Sequence, residues 1–338
     1  ETFLQMIREA ANDPAVLSVR ITIYRLASKA KLVEYLCAAA ENGKDVTVLI
    51  ELRARFDEQN NIDWSERLEE AGCKIIYGFE DYKVHSKICL ITRRERSGMR
   101  YITQVGTGNY NASSAKIYTD LGLFTARDDI CSDVQDLFNV MTGFGVIDNY
   151  RRIFVSPNHL RANITRLIRE EAEIHRAKGG GRIIMKCNQL VDQGIVRELY
   201  EASRAGVKIE CVVRGICSLR PGIKNVSETI SVHSIVGELL EHARIYYFEH
   251  GGEPVMYVGS ADMMTRNLNG RIEVLTPVLD KKLMDNILKQ IVNPQLADNT
   301  HAWELLSDGS YKKIKREAGV AAMDSQSHIK RVLNLLKR

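Results

Sequence analysis

The chain has 338 residues, of which 45% are hydrophobic and 27% are charged, values that are typical of a globular protein with about two domains. The formal net charge of +4 is too small to indicate a nucleic-acid-binding protein by itself. The seven cysteines form no CxxC pair or metal-ligand spacing, and their odd number argues against a disulfide framework. No apolar run reaches the roughly 20 residues that would span a bilayer.

Helix and strand patterns occur twice along the chain, in the same order and at a near-constant offset. Five pairs of segments match: MIREAA (6–11) with LIREEA (167–172), RITIYR (20–25) with RIIMKC (182–187), 41–55 with 204–215, VHSKICLI (84–91) with EHARIYYF (241–248), and VGTGN (105–109) with VGSAD (258–262). This repetition predicts an α/β fold of two tandem repeats, each a mainly parallel sheet flanked by helices.

The boundary between the two repeats is predicted near Ser156 and Pro157. Proline does not continue a regular element, and Asn158 is a favourable cap for a following helix. We therefore predict a first domain over residues 1–155 and a second over residues 156–338.

The tail of the chain, from Ser325 onward, predicts an amphipathic C-terminal helix. Its apolar face carries Ile329, Val332, Leu333 and Leu336, and its other face is basic. Such a helix more commonly packs on its own domain, but contact with a membrane surface or a partner stays open.

His85 and His242 are the residues best suited to chemistry. They occupy matched places in the two copies, in His-Ser-Lys and His-Ala-Arg, and a glycine motif follows each one. Asp120 and Glu273 follow those motifs at equal spacing. A single histidine on a strand is usually structural, but two at equivalent positions of a duplicated unit favour a shared cleft between the repeats, related by a pseudo-two-fold axis.

Histidine in this setting is typical of phosphoryl transfer. A neutral imidazole is a good nucleophile near pH 7, and its phosphoramidate is reactive enough to pass the group on. The transition state then needs positioning and positive charge, which arginine and lysine supply. A carboxylate behind the ring fixes its tautomer, and Asp120 and Glu273 are the candidates for that role.

The pattern resembles that of the phospholipase D superfamily, in which His-x-Lys-x4-Asp is followed by Gly-Ser-x-Asn. There, one histidine attacks phosphorus and the other handles the proton of the leaving group. This chain has Thr92 in place of the first aspartate, and its second copy has Arg244, Glu249 and Asp262 in place of the lysine, aspartate and asparagine. The resemblance implies the scaffold more strongly than it implies phosphodiester hydrolysis.

The flanking motifs resemble one family more closely, class 1 polyphosphate kinase, over nearly the whole chain. The motifs are ITIYR (21–25), VTVLIELRARFDE (46–58), KVHSKICLI (83–91), GTGNYN (106–111), IYTDLGLFT (117–125), VVRGICSLRPG (212–222), EHARIYYFEHGG (241–252) and YVGSADMMTRNL (257–268). The resemblance implies reversible transfer of the γ-phosphate of ATP to polyphosphate.

By motif, the resemblance implies a role for each of four residues. His85 matches the histidine that becomes phosphorylated, and His242 matches a second histidine at the nucleotide site. Tyr118 and Arg214 match nucleotide-binding positions.

The same resemblance implies a requirement for Mg²⁺, with Arg25 and Arg55 at the positions that the family associates with the metal. A guanidinium has no acceptor for a cation, so we expect these arginines to hold the phosphate oxygens that bind Mg²⁺. Three further basic residues are expected to add positive charge near the phosphates: Lys87, Arg244 and Arg271.

ATP, ADP and polyphosphate are the implied substrates and partners, and no nucleic-acid partner is expected. The family also has N-terminal domains that contribute to the nucleotide pocket and to dimer contacts. Since the first residue is Glu1 and not Met, we expect a fragment, and the resemblance implies a homo-oligomer for the full-length form. The scattered cysteines favour the cytoplasm, with peripheral membrane association left open.

Two other functions stay open from the residues. A phospholipase-D-like phosphodiesterase would need no ATP, and Thr92 together with the arginine-rich flanks counts against it. A non-catalytic module that binds polyphosphate or nucleic acid would bind polyanions with a steep salt dependence and transfer nothing.

Overall fold

The computed structural model describes residues 1–24, 31–51, 58–143 and 149–336. These residues form two compact units. Unit 1 comprises residues 1–116, 120–159 and 269–276, and unit 2 comprises residues 117–119, 160–268 and 277–338. Each unit consists of three segments of the sequence. The domain boundary between residues 155 and 156 stays a prediction.

Unit 1 alternates helices and strands through its first half and then continues with hairpins. Its helices are α1 (Thr2–Asn12), α2 (Lys31–Glu41), α3 (Glu58–Glu70) and α4 (Asp128–Met141). Its strands are β1 (Val16–Ile23), β2 (Asp45–Ile50), β3 (Lys74–Tyr77), β4 (Lys83–Val84), β5 (Lys87–Glu95), β6 (Gly98–Gly106), β8 (Gly122–Thr125), β9 (Phe154–Ser156) and β16 (Arg271–Pro277).

The main sheet of unit 1 has six strands in the order β3-β2-β1-β5-β6-β8. Strands β1, β2 and β3 pair in parallel, because a helix connects each to the next. The pairs β1–β5, β5–β6 and β6–β8 are antiparallel.

Alternating side chains of these strands enter two different cores, as the pleat of a strand requires. Val48 and Cys89 pack with helices α1 and α2 on one face, whereas Leu49 and Leu90 pack with α4 on the other. Both faces of the sheet are therefore covered by helices.

Unit 2 repeats this order with a longer C-terminal part. Its helices are α5 (Leu160–Lys178), α6 (Gln193–Arg204), α7 (Thr265–Gly270), α8 (Lys281–Ile287), a π-helix (Leu288–Val292), α9 (Asn293–Leu296) and α10 (Ser325–Leu336). Its strands are β7 (Tyr118–Thr119), β10 (Arg182–Cys187), β11 (Lys208–Val213), β12 (Ile230–Ile235), β13 (Leu240–Glu241), β14 (Arg244–Phe248), β15 (Val255–Gly259), β17 (Ala302–Leu305) and β18 (Tyr311–Lys313).

Seven strands of unit 2 lie in the order β18-β17-β12-β11-β10-β14-β15. As in unit 1, three strands pair in parallel, here β10, β11 and β12, and the later strands add in antiparallel pairs. The α/β class with helix-flanked sheets is thus confirmed. The share of parallel pairing is smaller than the sequence led us to expect, because the strands after each histidine belong to hairpins.

A short strand precedes each histidine and pairs in parallel with a strand from the other sequence copy. In unit 1, β4 pairs with β16, so that Val84 lies opposite Ile272. In unit 2, β13 pairs with β7, so that Glu241 lies opposite Thr119. Each unit therefore contains a small segment of the other copy beside its histidine.

The C-terminal helix α10 packs on unit 2 at its start, where Ser325 and Gln326 are buried. Its later residue Leu333 is 52% exposed. In the ranges given above, no helix has both the length and the apolar character that crossing a membrane requires.

Candidate active site

The backbone of His85 is fixed against strand β16. The amide nitrogens of His85 and Ser86 both donate to the carbonyl oxygen of Ile272, at 3.0 and 2.9 Å. Because His85 lies between β4 and β5, this shared acceptor holds the turn that joins them. The side chain of His85 is 11% exposed, so the surrounding protein restricts the position of the imidazole.

One ring nitrogen of His85 contacts a fully buried carboxylate. Nδ1 lies 2.9 Å from Glu273, whose exposure is 0%. A carboxylate accepts hydrogen bonds, so this contact places the ring proton on Nδ1 and the lone pair on Nε2. Arg271 lies on the same strand as Glu273, with a guanidinium nitrogen 4.0 Å from its carboxylate.

Lys87 and Tyr24 complete the surroundings of the imidazole. The Lys87 ammonium donates to the carbonyl oxygen of His85 and lies 5.2 Å from the centre of the Tyr24 ring. The Tyr24 ring meets the His85 ring edge to face, at 4.8 Å between centroids. Lys87 is only 2% exposed, so its charge acts in a poorly solvated environment, where it is felt more strongly than in water.

Two buried polar residues hold the histidine turn from behind. The Thr22 hydroxyl donates to the carbonyl oxygen of Ser86 at 2.7 Å and accepts from the amide of Ile88 at 3.1 Å. A carboxylate oxygen of Glu51 accepts from the amide of Val84 at 3.0 Å. These bonds tie the turn to strands β1 and β2 of the main sheet.

His242 occupies the matched position in unit 2, directly after β13. Its amide donates to the carbonyl oxygen and the hydroxyl of Thr119, at 3.2 and 3.3 Å. The Tyr118 ring lies 5.0 Å from the His242 ring, centroid to centroid, at an interplanar angle of 41°. Tyr118 and His242, both predicted at the nucleotide site, are therefore neighbours.

A buried network connects His242 to the two predicted arginines of unit 2. One guanidinium nitrogen of Arg244 donates to the His242 carbonyl oxygen at 2.8 Å, and the other donates to Asp262 at 3.1 Å. Asp262 also accepts from the amide of Asn188 at 2.7 Å. The Arg214 guanidinium donates to the side-chain oxygen of Asn188. Asn188 thus bridges Arg214 and Asp262.

Glu241, the residue before His242, is the centre of a second buried cluster. Its carboxylate pairs with Lys186 at 3.0 Å and accepts from Thr119, Gln295 and Gln326, at 2.9, 2.6 and 2.9 Å. Burial by itself raises the pKa of Glu241, but the Lys186 ammonium and the hydrogen bonds outweigh it, so the pKa lies below its ordinary value. Glu241 is therefore an ion-paired structural anchor.

Asp120 lies at the glycine turn of unit 1. The Thr107 hydroxyl donates to its carboxylate at 2.7 Å. Gly108 lies so close that a Cβ atom there would overlap with the Asp120 carboxylate. The glycine of this turn is thus required by the close approach of Asp120.

The remaining predicted positions, Arg25 and Arg55, lie outside the described residues. Among the residues that the structure does describe, no group of three or more His, Cys, Asp or Glu side chains is arranged to hold a metal ion. The described residues therefore do not fit a magnesium site held by protein ligands.

Sequence reasoning missed Tyr24, Thr22, Glu51 and Asn188. Tyr24 and Thr22 lie in the repeated strand motif 20–25, and a polar residue inside an otherwise apolar strand was the available signal. Glu51 and Asn188 each follow the last apolar residue of a buried strand, where polar side chains commonly line a site.

Comparison with known families covers both halves of the chain. Residues 1–147 match the model of polyphosphate kinase C-terminal domain 1, and residues 153–326 match that of polyphosphate kinase C-terminal domain 2.

Individual proteins are similar over the same length. The chain is 47% identical over 324 residues to a polyphosphate kinase of Synechocystis sp., covering 96% of this chain and 44% of that protein. It is 46% identical over 323 residues to one of Bacillus anthracis, covering 96% and 46%. The chain thus spans less than half the length of these relatives.

Two solved structures extend the comparison. The crystal structure of polyphosphate kinase from Porphyromonas gingivalis is 36% identical with a TM-score of 0.93, covering 100% of this chain and 51% of that chain. A phosphatidylserine synthase of Haemophilus influenzae is 11% identical with a TM-score of 0.60, covering 99% and 91%. The second likeness shows a shared fold alone.

Proposed function

Because the chain belongs to the polyphosphate kinase family, with both C-terminal domains of that family present, we propose that it carries the phosphoryl-transfer centre of an enzyme that moves the γ-phosphate of ATP reversibly to polyphosphate. The observation that carries the proposal is the buried contact between Nδ1 of His85 and the carboxylate of Glu273. A nucleophilic imidazole needs this kind of partner to fix its tautomer.

In the proposed first step, the Nε2 lone pair of His85 attacks the γ-phosphorus. The N–P bond forms while the bond from the γ-phosphorus to the bridging oxygen breaks, and ADP leaves. The positive charge that develops on the imidazole ring is stabilised by Glu273 through the Nδ1 proton. In the second step, a terminal oxygen of polyphosphate attacks the same phosphorus, the N–P bond breaks, and the imidazole returns to its initial state.

Positive charge for the transferred phosphoryl group is proposed to come from Lys87 and Arg271. Lys87 is almost fully buried beside His85, and Arg271 lies two residues from Glu273 on β16. Transfer of a phosphoryl group depends mainly on such positioning and charge. Asp120, whose carboxylate accepts from the Thr107 hydroxyl, is proposed as the second carboxylate that orients a histidine ring.

His242, Tyr118, Arg214 and Arg244 are proposed to bind the nucleotide. Support comes from the tilted contact of the Tyr118 and His242 rings, 5.0 Å apart between centroids, and from the network through Asn188 that holds the two arginines. An aromatic ring suits the base of a nucleotide, and guanidinium groups suit its phosphates. Mg²⁺ is proposed to enter bound to the phosphate oxygens of ATP, with Arg25 and Arg55 as further phosphate ligands.

The wider setting is part of the same proposal. We infer a cytoplasmic protein, since all seven cysteines are unpaired thiols. Assembly of the longer protein into a homo-oligomer and peripheral contact of α10 with a membrane are further proposals, and no nucleic-acid partner is proposed. Light scattering of the full-length protein tests the homo-oligomer, and sedimentation with anionic vesicles tests the membrane contact.

A coupled assay in both directions tests the proposed function. The chain is incubated with Mg²⁺, ATP and a short polyphosphate primer, and ADP is compared with the phosphate added to polyphosphate; the reverse reaction starts from ADP and polyphosphate. We expect the amount of ADP released to equal the amount of phosphate added to polyphosphate. In His85→Gln the rate of transfer should fall by about three orders of magnitude. The partly exposed His301 pairs with Asp324, and His301→Gln serves as the control.

Other outcomes would replace the proposal. Hydrolysis of a chromogenic phosphodiester without ATP, abolished by His85→Gln, would favour a phosphodiesterase. Salt-sensitive binding of polyphosphate without transfer in either direction would favour a binding module.

A further inference from the structure

The first turn of helix α10 is fixed tightly within unit 2. Asp298 accepts from the amide of Ser325 at 2.9 Å and from its hydroxyl at 2.7 Å. Ser325 is 0% exposed and the next residue, Gln326, is 3% exposed. The side chain of Gln326 therefore starts from a rigid backbone.

The Gln326 amide contacts the segment that leads into His242 at three points. Its oxygen accepts from the amide of Leu239 at 2.9 Å, and its nitrogen donates to the Leu239 carbonyl oxygen at 2.7 Å. The same nitrogen donates to Glu241 at 2.9 Å. The amide thus pairs with the backbone of Leu239 as a neighbouring strand would, and it reaches the carboxylate beside His242.

The strands that carry the nucleotide-site residues need such support. Strands β13 and β7 have two residues each and form a sheet of their own. A two-stranded sheet of this length is not stable by itself in water. Within the described residues, three donors contact one oxygen of Glu241, and Gln326 contacts the other.

We propose that Gln326 is a positioning residue, which holds strand β13 and thereby sets the geometry of His242 and Tyr118. The inference rests on the proposed function, because it assigns these two residues to the nucleotide. The Gln326 side chain bonds to Leu239 and Glu241 and, among the described residues, makes no hydrogen bond to His242 or Tyr118, so its effect passes through Glu241 and Leu239. Through Gln326, helix α10 helps to orient the residues of the proposed nucleotide site.

Gly237 provides an independent way to displace this amide. A Cβ atom at Gly237 would lie 2.5 Å from the side-chain oxygen of Gln326. The atom that must give way is the end of a flexible side chain, so Gly237→Ala should fold and push the amide aside. Gly237→Ala and Gln326→Ala should therefore have the same effect on the site.

The test uses the 338-residue chain with its histidine rings labelled with ¹⁵N. Ring resonances of His85 and His242, assigned by substitution, are compared in the wild type, Gln326→Ala and Gly237→Ala. We expect the His242 resonances to shift or broaden in both variants, with those of His85 unchanged. The control is Gln290→Ala, which removes a different hydrogen bond to α10, from His328 at 3.0 Å, and should leave His242 unchanged.

Steady-state kinetics give the functional part of the test. In Gln326→Ala the KM for ATP should rise on the order of tenfold, because misplacement of a binding group weakens a positioned site. Thermal unfolding of Gly237→Ala should be cooperative, at a temperature lowered by the loss of the Gln326 hydrogen bonds. If Gln326→Ala does not fold, Gly237→Ala alone decides. Unchanged His242 resonances in a folded variant overturn the inference. An inactive wild-type chain would count against the proposed function, and the resonances would still decide the position of His242.

Discussion

Nδ1 of His85 lies 2.9 Å from the carboxylate of Glu273, a residue 188 positions further along the chain. The contact exists because β16 pairs with β4 and so brings the second copy of the repeat to the histidine of the first. Glu273 is completely buried, so its charge acts on the imidazole with little screening. The proposed nucleophile and the carboxylate proposed to orient it are thus encoded in different halves of the sequence.

Replacing Glu273 tests that relationship. Glu273→Gln keeps the volume of the side chain but removes its charge, so the rate of phosphorylation by ATP should fall about 10- to 100-fold. Rapid-quench measurement of the phosphorylated chain gives the rate, and circular dichroism checks the fold. Glu253→Gln, at an exposed ion pair with Lys281, should have the wild-type rate. An equal rate in Glu273→Gln would remove Glu273 from the mechanism.

Asp262 should matter most for stability. Asp262→Ala removes the carboxylate beside Arg244, which is 3% exposed, and the acceptor of the Asn188 amide. Breaking a buried ion pair costs about 3–5 kcal/mol, and urea denaturation should show a loss of that size. Asp262→Asn keeps an acceptor and should lose less. No loss in Asp262→Asn would mean that the charge of Asp262 contributes nothing, whereas equal losses in the two variants would assign the whole effect to the charge.

The pKa of Glu241 predicts how stability depends on pH. Since the pKa of Glu241 in the fold is lowered from 4.5, its contribution to stability is complete above pH 4.5 and is lost as the pH falls through the folded value. In Glu241→Gln the free energy of unfolding should be lower at pH 7, and the gap to the wild type should narrow below pH 4.5. Denaturant titrations at several pH values measure this gap. Parallel curves for the two proteins would contradict the ion pair with Lys186.

Cysteine reactivity should be low in the native protein. Burial raises the pKa of Cys217 to about 11 and that of Cys73 to about 12, so few thiolates are present at pH 8. Cys217 is half-buried and the other six are buried, so Cys217 should react first with a disulfide reagent. Cys217→Ser should remove this first phase. Fast reaction of several cysteines in the native wild type would mean that the reagent reaches the hydrophobic cores.

The sequence predicted much of this arrangement, because the fold is repeated. A single helical or strand segment is ambiguous, but five ordered matches indicated the α/β class, and the equivalent places of His85 and His242 followed from the same matches. Glu273 was also a candidate from its spacing. The contact between Glu273 and His85 was not predicted. It depends on the pairing of β4, and a strand of two residues leaves no periodic signal in the sequence.

The remaining differences between the sequence-based predictions and the structure have similar physical causes. Alternation of helices and strands favoured parallel pairing, but the turn between β5 and β6 spans only residues 96–97, which allows antiparallel pairing alone. The polar support from Thr22 and Glu51 depends on backbone groups that meet only after folding. Such contacts are set by tertiary packing and not by local pattern.

Detection of the phosphorylated residue tests the central claim most directly. The chain is incubated with γ-labelled ATP and Mg²⁺, treated with acid or base, and mapped by mass spectrometry, with His85→Gln and His301→Gln alongside. We predict label that is lost in acid, stable in base, located on His85, present in His301→Gln and absent from His85→Gln. Label on another residue, undiminished label in His85→Gln, or no label on the folded wild-type chain would contradict the account.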